Sequence, residues 1–338
     1  MRKNKPKGIR DISVMKKHCF VAFDTSNYTT SAAVCDAEGK IIANLKTPLS
    51  VANGERGLRQ SDAVFSHIKN LPELCPRLRK AIAGYEVRAV GVSSRPRSVE
   101  GSYMPCFLSG VAAANSFAAA AEVPLFEFSH QDGHVMAAVY SAGCAEKLMG
   151  RRFLAFHVSG GTTEVLLAEP SDEFFKLTLV GETADLNAGQ VIDRTGVMLG
   201  IDFPCGPRLE EAARSYSGKT EPCKITVREN DATGNIECNL SGVENKTAKM
   251  YAEGRSKEEI AAYVFDFIGK TIRTMAKKAV EKYGEMPIVF AGGVMSNKLM
   301  RKSLSESFEA YFAEPSFSAD NAAGIALFCR EKYLNEKK

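Results

Sequence analysis

The stretch that decides the fold is Phe20-Val-Ala-Phe-Asp-Thr-Ser-Asn-Tyr-Thr-Thr-Ser-Ala-Ala-Val34, because its pattern returns 133 residues later as Phe153-Leu-Ala-Phe-His-Val-Ser-Gly-Gly-Thr-Thr-Glu-Val-Leu-Leu167. In each copy an apolar strand runs into a short hydroxyl-rich turn, and a second apolar strand leaves it. The backbone N–H groups of such turns can hold phosphate. The repeat therefore predicts a duplicated molecule whose two halves face each other across a cleft.

The segments around each copy extend the same pattern. We expect strands at 19–24, 30–36 and 40–46 in the first half and at 152–158, 163–168 and 174–180 in the second. Alternating helices and strands follow each triplet, which predicts an α/β protein. The arrangement resembles the two-lobed, ribonuclease H-like fold of actin, Hsp70 and sugar kinases. We place lobe one at 19–150 and lobe two at 151–338, with a polar surface insertion at about 215–240.

Composition narrows the class of protein. The chain has 338 residues, of which 45% are hydrophobic, so it can bury an ample core. We find no apolar run or signal sequence that predicts a membrane segment or export. Nine cysteines occur without a C-x-x-C pair. This pattern predicts a reduced cytoplasmic protein with inert thiols rather than a disulfide or zinc-ribbon scaffold.

The charge is concentrated at the N-terminus. The first 18 residues carry seven Lys or Arg and one Asp, a formal charge of +6, whereas the whole chain carries +4. We interpret residues 1–18 as a flexible basic arm on a nearly neutral body. The arm is a candidate for contact with nucleic acid, and a solvated terminus without function is the alternative.

The pair His130 and His134 is a candidate metal site. Residues four apart share one face of a helix, so both imidazoles can bind one ion. His130 begins the helix after the last strand of lobe one, and Asp320 begins the corresponding helix of lobe two. If these helix starts face each other, Asp320 completes a site of three ligands with open positions for substrate. Two surface histidines and an N-capping aspartate remain the alternative reading.

Two glycine-rich turns are candidates for binding a nucleotide. Val158-Ser-Gly-Gly-Thr162 follows a strand, and its glycines let backbone amides approach an anion. Ala291-Gly-Gly-Val-Met-Ser-Asn297 joins a strand to a helix, a geometry that suits a phosphate or nucleoside but also plain tight packing.

A pair of carboxylates in lobe two is a further candidate. We expect a helix over 185–199, which places Asp185 and Asp193 about two turns apart on one face. Asp193 could accept hydrogen bonds from ribose hydroxyls. The alternative is a surface carboxylate paired with Arg194 or a nearby lysine.

Taken in order, these segments resemble the tRNA adenosine threonylcarbamoyltransferase family over nearly the whole chain from Phe20 onward. The residues that carry the resemblance are His130-Gln-Asp-Gly-His134, Val158-Ser-Gly-Gly161, Gly181-Glu-Thr183, Asp193, Pro204-Cys-Gly-Pro207, Leu240-Ser-Gly242, Gly292-Gly-Val294, Asn297 and Asp320-Asn-Ala-Ala323.

The resemblance implies transfer of a threonylcarbamoyl group from its AMP adduct to N6 of the adenosine that follows the anticodon in tRNA. It implies one divalent metal ion, iron or zinc, held by His130, His134 and Asp320, with the AMP adduct or an ATP-like nucleotide as ligand. It also implies a complex with a smaller paralogue and an ATPase partner. The matched nucleotide-binding positions are Val158, Ser159, Gly160, Gly161, Thr162, Asp193, Gly206 and Asn297. We assign Asp24, the carboxylate retained in the first turn, as the candidate catalytic residue.

Three departures from the family pattern leave a second function open. The first turn is Asp24-Thr-Ser-Asn-Tyr-Thr29 and has lost other acidic residues, the family's Gly-Pro-Gly turn is Arg95-Pro-Arg97, and Thr162 replaces a histidine. The two guanidinium groups can clamp a phosphate or carboxylate, or belong to a solvated loop. The alternative function is a nucleotide- and metal-binding paralogue with another acceptor or a scaffolding role. The histidine pair lacks the glutamate of the H-E-x-x-H motif, which argues against a peptidase.

Overall fold

The computed structural model describes residues 17–26, 28–50, 58–171, 174–318 and 321–337. Most of the basic arm and Asp320 lie outside these residues. The strands of the described part are β1 Lys17–Ser26, β2 Thr29–Asp36, β3 Ile41–Pro48, β4 Tyr85–Arg95, β5 Leu125–Ser129, β6 Phe153–Val158, β7 Thr163–Ser171, β8 Phe174–Thr183, β9 Val227–Glu229, β10 Ile236–Cys238, β11 Ile288–Ala291 and β12 Ala310–Phe312. The helices are α1 Gln60–Ala81, α2 Phe107–Ala121, α3 His130–Ser141, α4 Ala145–Leu148, α5 Ala188–Met198, α6 Gly206–Ser215, α7 Gly242–Ala252, α8 Lys257–Tyr283, α9 Lys298–Ser305, α10 Pro315–Ser318 and α11 Ala323–Asn335, with a 3₁₀ helix at Gly293–Ser296.

Two mixed sheets confirm the α/β fold and its duplication. The first has the order β3-β2-β1-β4-β5, with antiparallel pairing among β1, β2 and β3 and parallel pairing from β1 through β4 to β5. The second contains the same order as β8-β7-β6-β11-β12, with the same pattern of directions. An identical strand order in two sheets is what a duplicated unit produces.

The turns of the two copies also correspond in backbone pairing. Ser26 pairs with Thr29 at the end of the β1–β2 ladder. At the equivalent position of lobe two, the Ser159 N–H donates to the Thr162 carbonyl over 2.7 Å. The sequence repeat is therefore a repeat of backbone geometry as well.

Lobe two differs from lobe one by an added edge. β10 pairs in parallel with β8, and β9 pairs with β10, so the sheet grows beyond the duplicated unit. Both short strands come from the polar segment that the sequence marks as an insertion. Helix α8 contacts these two strands and buries Ile260, Val264, Ile268 and Ile272 completely, as expected for apolar residues repeated every four positions on a helix.

The helices α3 and α11 cross at two glycines. A Cβ on Gly324 of α11 would stand 1.9 Å from the carbonyl oxygen of Gly133 in α3, so the two backbones touch directly. Each helix follows the last parallel strand of its sheet, as the duplication requires. Their crossing fixes the start of α3, where the histidine pair lies, next to the C-terminal helix of the chain.

Two predicted helix boundaries are wrong. The helix expected to start at Asp185 begins at Ala188, with Asn187 as the N-cap, because Asn187 and Gln190 form a reciprocal capping box. The last helix begins at Ala323 rather than at Asp320. Among the described residues, no helix combines the length and the apolar character needed to span a bilayer.

Candidate active site

The histidine pair is positioned by the cap of α3. The Ser129 Oγ accepts the Asp132 N–H at 3.1 Å, and the Asp132 carboxylate accepts the Ser129 N–H at 3.1 Å. This capping box makes His130 the first residue of the helix, with His134 one turn later on the same face. The two Nε2 atoms are 2.9 Å apart. The predicted convergence of the imidazoles is therefore present.

Asp24 holds His130 from the lobe-one side. It is fully buried, and its Oδ2 lies 2.6 Å from His130 Nδ1 and 2.5 Å from Ser93 Oγ. Its other carboxylate oxygen accepts the Ser26 N–H at 3.0 Å. A carboxylate enclosed in this way acts through the imidazole that it orients. The geometry therefore makes Asp24 a positioning residue. The catalytic role that was assigned from the sequence stays a prediction.

The hydrogen bonds orient the two imidazoles towards each other. A carboxylate at Asp24 accepts from a ring N–H at His130 Nδ1, and His130 Nε2 then faces His134 Nε2 at 2.9 Å. Two ring nitrogens at this separation can share a proton or a cation. A carboxylate on the far nitrogen of a ligating histidine is the usual outer-shell arrangement at metal sites.

His157 is a third imidazole that the sequence reading missed. Its ring centroid lies 4.8 Å from that of His134, so lobe two contributes to the same cluster. His157 is the counterpart of Asp24 at the 133-residue offset of the repeat. That correspondence was the available signal, because both residues occupy the same position at the ends of their strands.

The donor set fits a metal in part. His130 and His134 present two convergent nitrogens, which suit iron or zinc. Within the part of the chain that the structure describes, no three His, Cys, Asp or Glu side chains form a complete metal site. Asp320, the expected third ligand, lies outside the described residues, so the metal remains a proposal.

The turn after His157 is open. A Cβ on Gly160 or Gly161 would meet no atom of the described residues within 4 Å. The Ser159 Oγ accepts the N–H groups of Gly161 and Thr162 at 3.3 and 3.1 Å. The N-terminus of α5 packs directly underneath, since a Cβ on Gly189 would lie 2.6 Å from Gly160 N. The turn is thus supported from behind and exposed in front.

Three further predicted residues lie near the starts of α6 and α9. Asp193 accepts the N–H of Cys205, which precedes Gly206, at 3.0 Å. Asn297 caps α9 by accepting the Met300 N–H at 3.0 Å, and its buried Nδ2 finds no partner among the described residues. A buried amide donor left unpaired costs free energy unless a ligand satisfies it. This orphan donor fits the predicted contact of Asn297 with a nucleoside.

Comparison with known proteins identifies the family. The family model described as TsaD, tRNA N6-adenosine threonylcarbamoyltransferase, matches residues 42–327. The chain belongs to this family. It is therefore a transferase of a family that modifies tRNA.

Curated relatives carry the same name at low identity. The enzyme of Streptococcus gordonii is 28% identical over 324 residues, covering 92% of this chain and 91% of that protein. The enzyme of Riemerella anatipestifer is 26% identical over 335 residues, covering 94% of each. The family match therefore extends over nearly all of both proteins.

Solved structures confirm the fold. HypF of T. kodakarensis aligns with a TM-score of 0.59 and 14% identity, over 95% of this chain and 48% of that one. Component A of the (R)-2-hydroxyglutaryl-CoA dehydratase of Acidaminococcus fermentans aligns with a TM-score of 0.53 and 14% identity, over 94% and 99%. These neighbours support the two-lobed, actin-like architecture.

The last sequence candidates to be located are Gly292, Gly293 and Asp185. Gly292 serves packing, since its φ is +95° and a Cβ there would lie 2.1 Å from the Val158 carbonyl oxygen, whereas Gly293 faces open space. Asp185 lies outside α5 and binds the backbone of the insertion instead, accepting the Leu240 N–H at 2.7 Å. The shared helix face predicted for Asp185 and Asp193 is wrong, because the helix begins after Asp185.

Proposed function

We propose that this member of the family transfers the threonylcarbamoyl group of threonylcarbamoyl-AMP to N6 of the adenosine following the anticodon. In this step the amine nitrogen bonds to the carbamoyl carbon, the bond from that carbon to the phosphate oxygen of AMP breaks, and the amine loses a proton. The family match and the site geometry support the proposal together.

The observation that carries it is the interlobe histidine cluster. His130 and His134 converge at 2.9 Å, Asp24 orients the first ring from lobe one, and His157 flanks the second from lobe two. Polar nitrogens fixed from both sides are suited to hold the carbamoyl oxygen of the donor in one orientation, which lowers the entropic part of the barrier.

A divalent iron or zinc ion would be held by His130, His134 and Asp320. When bound, it would polarise the carbonyl of the transferred group as a Lewis acid. Asp24 supports this proposal because its contact with Nδ1 orients the His130 ring so that Nε2 faces His134 Nε2.

The AMP part of the donor is assigned to lobe two. The open turn Val158–Thr162 would receive the phosphate, and Asn297, Gly206 and Asp193 would receive the nucleoside. Support comes from the absence of any atom within 4 Å of a Cβ on Gly160 and Gly206, and from the unpaired Asn297 Nδ2.

The test is an assay of the full chain with threonylcarbamoyl-AMP, tRNA, a smaller paralogue and an ATPase partner of the family. We expect threonylcarbamoyladenosine in the digested tRNA by mass spectrometry. An authentic family enzyme with its own partners serves as the positive control. Absence of the product beside an active control would contradict the proposal.

A second candidate is a nucleotide- and metal-binding paralogue with another acceptor or a scaffolding role. The observation that favours it is Arg97, which stands in place of the family's glycine-rich turn and pairs with Glu164 at the cleft. Tight binding of the AMP adduct by calorimetry, without transfer to tRNA, would support this function over the first.

A further inference from the structure

Arg97 and Glu164 form an ion pair between the lobes. Arg97 lies in the lobe-one loop between β4 and α2, and Glu164 lies on β7 of lobe two. The other carboxylate oxygen of Glu164 accepts a hydrogen bond from Gln131 Nε2 at 2.8 Å. Glu164 is only 6% exposed, and burial raises its pKa while Arg97 and Gln131 offset part of that rise. A buried carboxylate of lobe two is thus held entirely by lobe one.

The loop that carries Arg97 is fixed in place. The Arg97 N–H donates to Ser102 Oγ at 2.9 Å, and the neighbouring Pro96 carbonyl accepts the Gln131 N–H at 3.0 Å. Ser98 Oγ donates to Asp132 at 2.7 Å, which ties the loop to the first turn of α3. The guanidinium therefore has a defined position instead of sampling a solvated loop.

The guanidinium is close to the histidine cluster. Gln131 follows His130 directly, and Glu164 is the cross-strand partner of His157 in the β6–β7 ladder. Directly opposed residues on an antiparallel pair have their Cβ atoms about 5 Å apart on one face of the sheet. Arg97 thus reaches a carboxylate that is adjacent to the third ring of the cluster.

The guanidinium keeps unused binding capacity. Its pair with Glu164 uses the Nη2 nitrogen, and the side chain remains 42% exposed. An arginine side chain has five N–H donors in a planar fork that matches a carboxylate. Within the described part of the chain, the side chain of Arg97 makes no hydrogen bond other than the one to Glu164. The other N–H donors of this partly exposed side chain can bind a ligand.

We propose that Arg97 is a specificity-determining residue that binds the carboxylate of the donor's threonyl group, and that Glu164 competes for the guanidinium as a built-in carboxylate. This inference rests on the proposed function. The carboxylate carbon and the carbamoyl carbon of the donor are separated by three bonds, or roughly 3 to 4 Å. The proposal therefore requires the carbamoyl group at the histidine cluster and the carboxylate at Arg97 to lie on the two sides of the His157–Glu164 pair.

Competition predicts effects of opposite sign at the two residues. Removing Arg97 removes the attraction for the donor carboxylate, whereas neutralising Glu164 removes its competitor and a repulsive charge. A pair that only holds the lobes together predicts effects of the same sign, because either change breaks the contact. The sign of the Glu164 effect therefore separates recognition from a structural role.

The experiment measures dissociation constants by calorimetry for the full chain with two stable analogues of threonylcarbamoyl-AMP, one with and one without the threonyl carboxylate. We expect Arg97→Gln to raise the dissociation constant of the first analogue about tenfold or more, because a charge-assisted contact is lost. Arg97→Lys keeps the positive charge but loses the planar fork of donors. Its dissociation constant for the first analogue should therefore lie between those of the wild type and Arg97→Gln. Glu164→Gln should tighten the first analogue, and no variant should change the second by more than about twofold.

Arg151→Gln is the matched control, since Arg151 is exposed, pairs with Glu309 at 3.8 Å and precedes β6 at the end opposite His157. It should leave both affinities unchanged, and thermal unfolding shows which variants fold.

The inference is overturned if Arg97→Gln and Glu164→Gln weaken binding of the first analogue equally. It is also overturned if Arg97→Gln loses affinity equally for both analogues. If the wild type modifies tRNA and Arg97→Gln binds the first analogue with normal affinity, only this inference is refuted. Wild-type protein that binds neither analogue refutes the proposed function as well.

Discussion

The two copies of the strand–turn–strand unit share a backbone but differ in their surroundings. Asp24 and Ser26 of the first copy are almost completely buried, whereas their counterparts His157 and Ser159 in the second copy are partly exposed. Thr25 Oγ1 of the first copy donates to the Cys106 carbonyl at 3.0 Å and accepts the Gly110 N–H at 2.9 Å. Residues 24–26 therefore form a buried polar network, the closed turn, whereas Val158–Thr162 form the partly exposed open turn.

This difference shows how duplication separates two tasks. The polar groups of the closed turn bind internal partners. These contacts fix Asp24 and, through Asp24, the ring of His130. The open turn keeps its front face free and is supported from behind by α5.

The largest expected effect comes from His130→Ala, which removes the imidazole that the closed turn positions. We expect the transfer rate to fall by about 1,000-fold or more, since metal catalysis contributes several kcal/mol. Elemental analysis should show iron or zinc in the wild type and its loss in the variant. His18→Ala, at an exposed histidine, is the control. Equal metal content in wild type and His130→Ala would contradict the metal assignment.

Asp24→Asn tests whether the first turn acts through His130. The amide keeps the shape but weakens the acceptor for Nδ1, so we expect a loss of about 10- to 100-fold in metal affinity or rate. Metal titration and steady-state kinetics measure the two quantities. Ser93→Ala removes another hydrogen bond to the same carboxylate and should have a smaller effect. A normal rate in Asp24→Asn would show that the closed turn does not position His130.

Two alanine substitutions compare the front and the back of the open turn. Gly160→Ala adds a methyl group in open space, so stability should hold while affinity for the AMP adduct falls about tenfold. Gly189→Ala would place a Cβ 2.6 Å from Gly160 N, and we expect a loss of about 1–3 kcal/mol in unfolding free energy. Chemical denaturation and calorimetry distinguish the two. The reverse result would mean that the front of the turn is packing rather than a binding surface.

The smallest effect concerns Asp185, which anchors the insertion present only in lobe two. Burial alone raises the pKa of Asp185, but hydrogen bonds from Ser241, Leu240 and Leu186 outweigh it and lower the pKa to about 2 from 3.8. The carboxylate therefore stabilises the fold above pH 3.8, and this contribution is lost as the pH falls towards 2.

Asp185→Asn should reduce the unfolding free energy by about 1 kcal/mol at neutral pH, the order expected for lost hydrogen bonds at an exposed site. The difference from wild type should shrink in thermal melts as the pH falls towards 2. Asp202→Asn, at a carboxylate that is 94% exposed, should change little at any pH. A difference for Asp185→Asn that does not depend on pH would contradict the assignment.

Much of the fold and part of the site could be read from local pattern. The repeat predicted the shared strand order, and the spacing of His130 and His134 predicted their convergence, because helix periodicity is a local property. The start of α3 at His130 was also predicted correctly. Helix α5 was placed three residues too early, since a run of polar residues after β8 does not reveal which of them becomes the cap.

Contacts between distant segments escaped the sequence reading. His157 was not recognised as a member of the cluster, and neither the burial of Asp24 nor the Arg97–Glu164 pair was anticipated. Each of these depends on where strands and helices from different parts of the chain come together. No periodicity within one segment encodes that information.

The sequence by itself determined the duplicated α/β architecture, the helix that carries the histidine pair and the resemblance to the family. These follow from short-range rules of periodicity, turn formation and capping, repeated at a fixed offset. Only the tertiary structure decided how deeply each turn is buried, and it brought Asp24 to His130 from lobe one and His157 to His134 from lobe two. Burial and ion pairing depend on what packs against a residue, and that is set only when the two lobes meet.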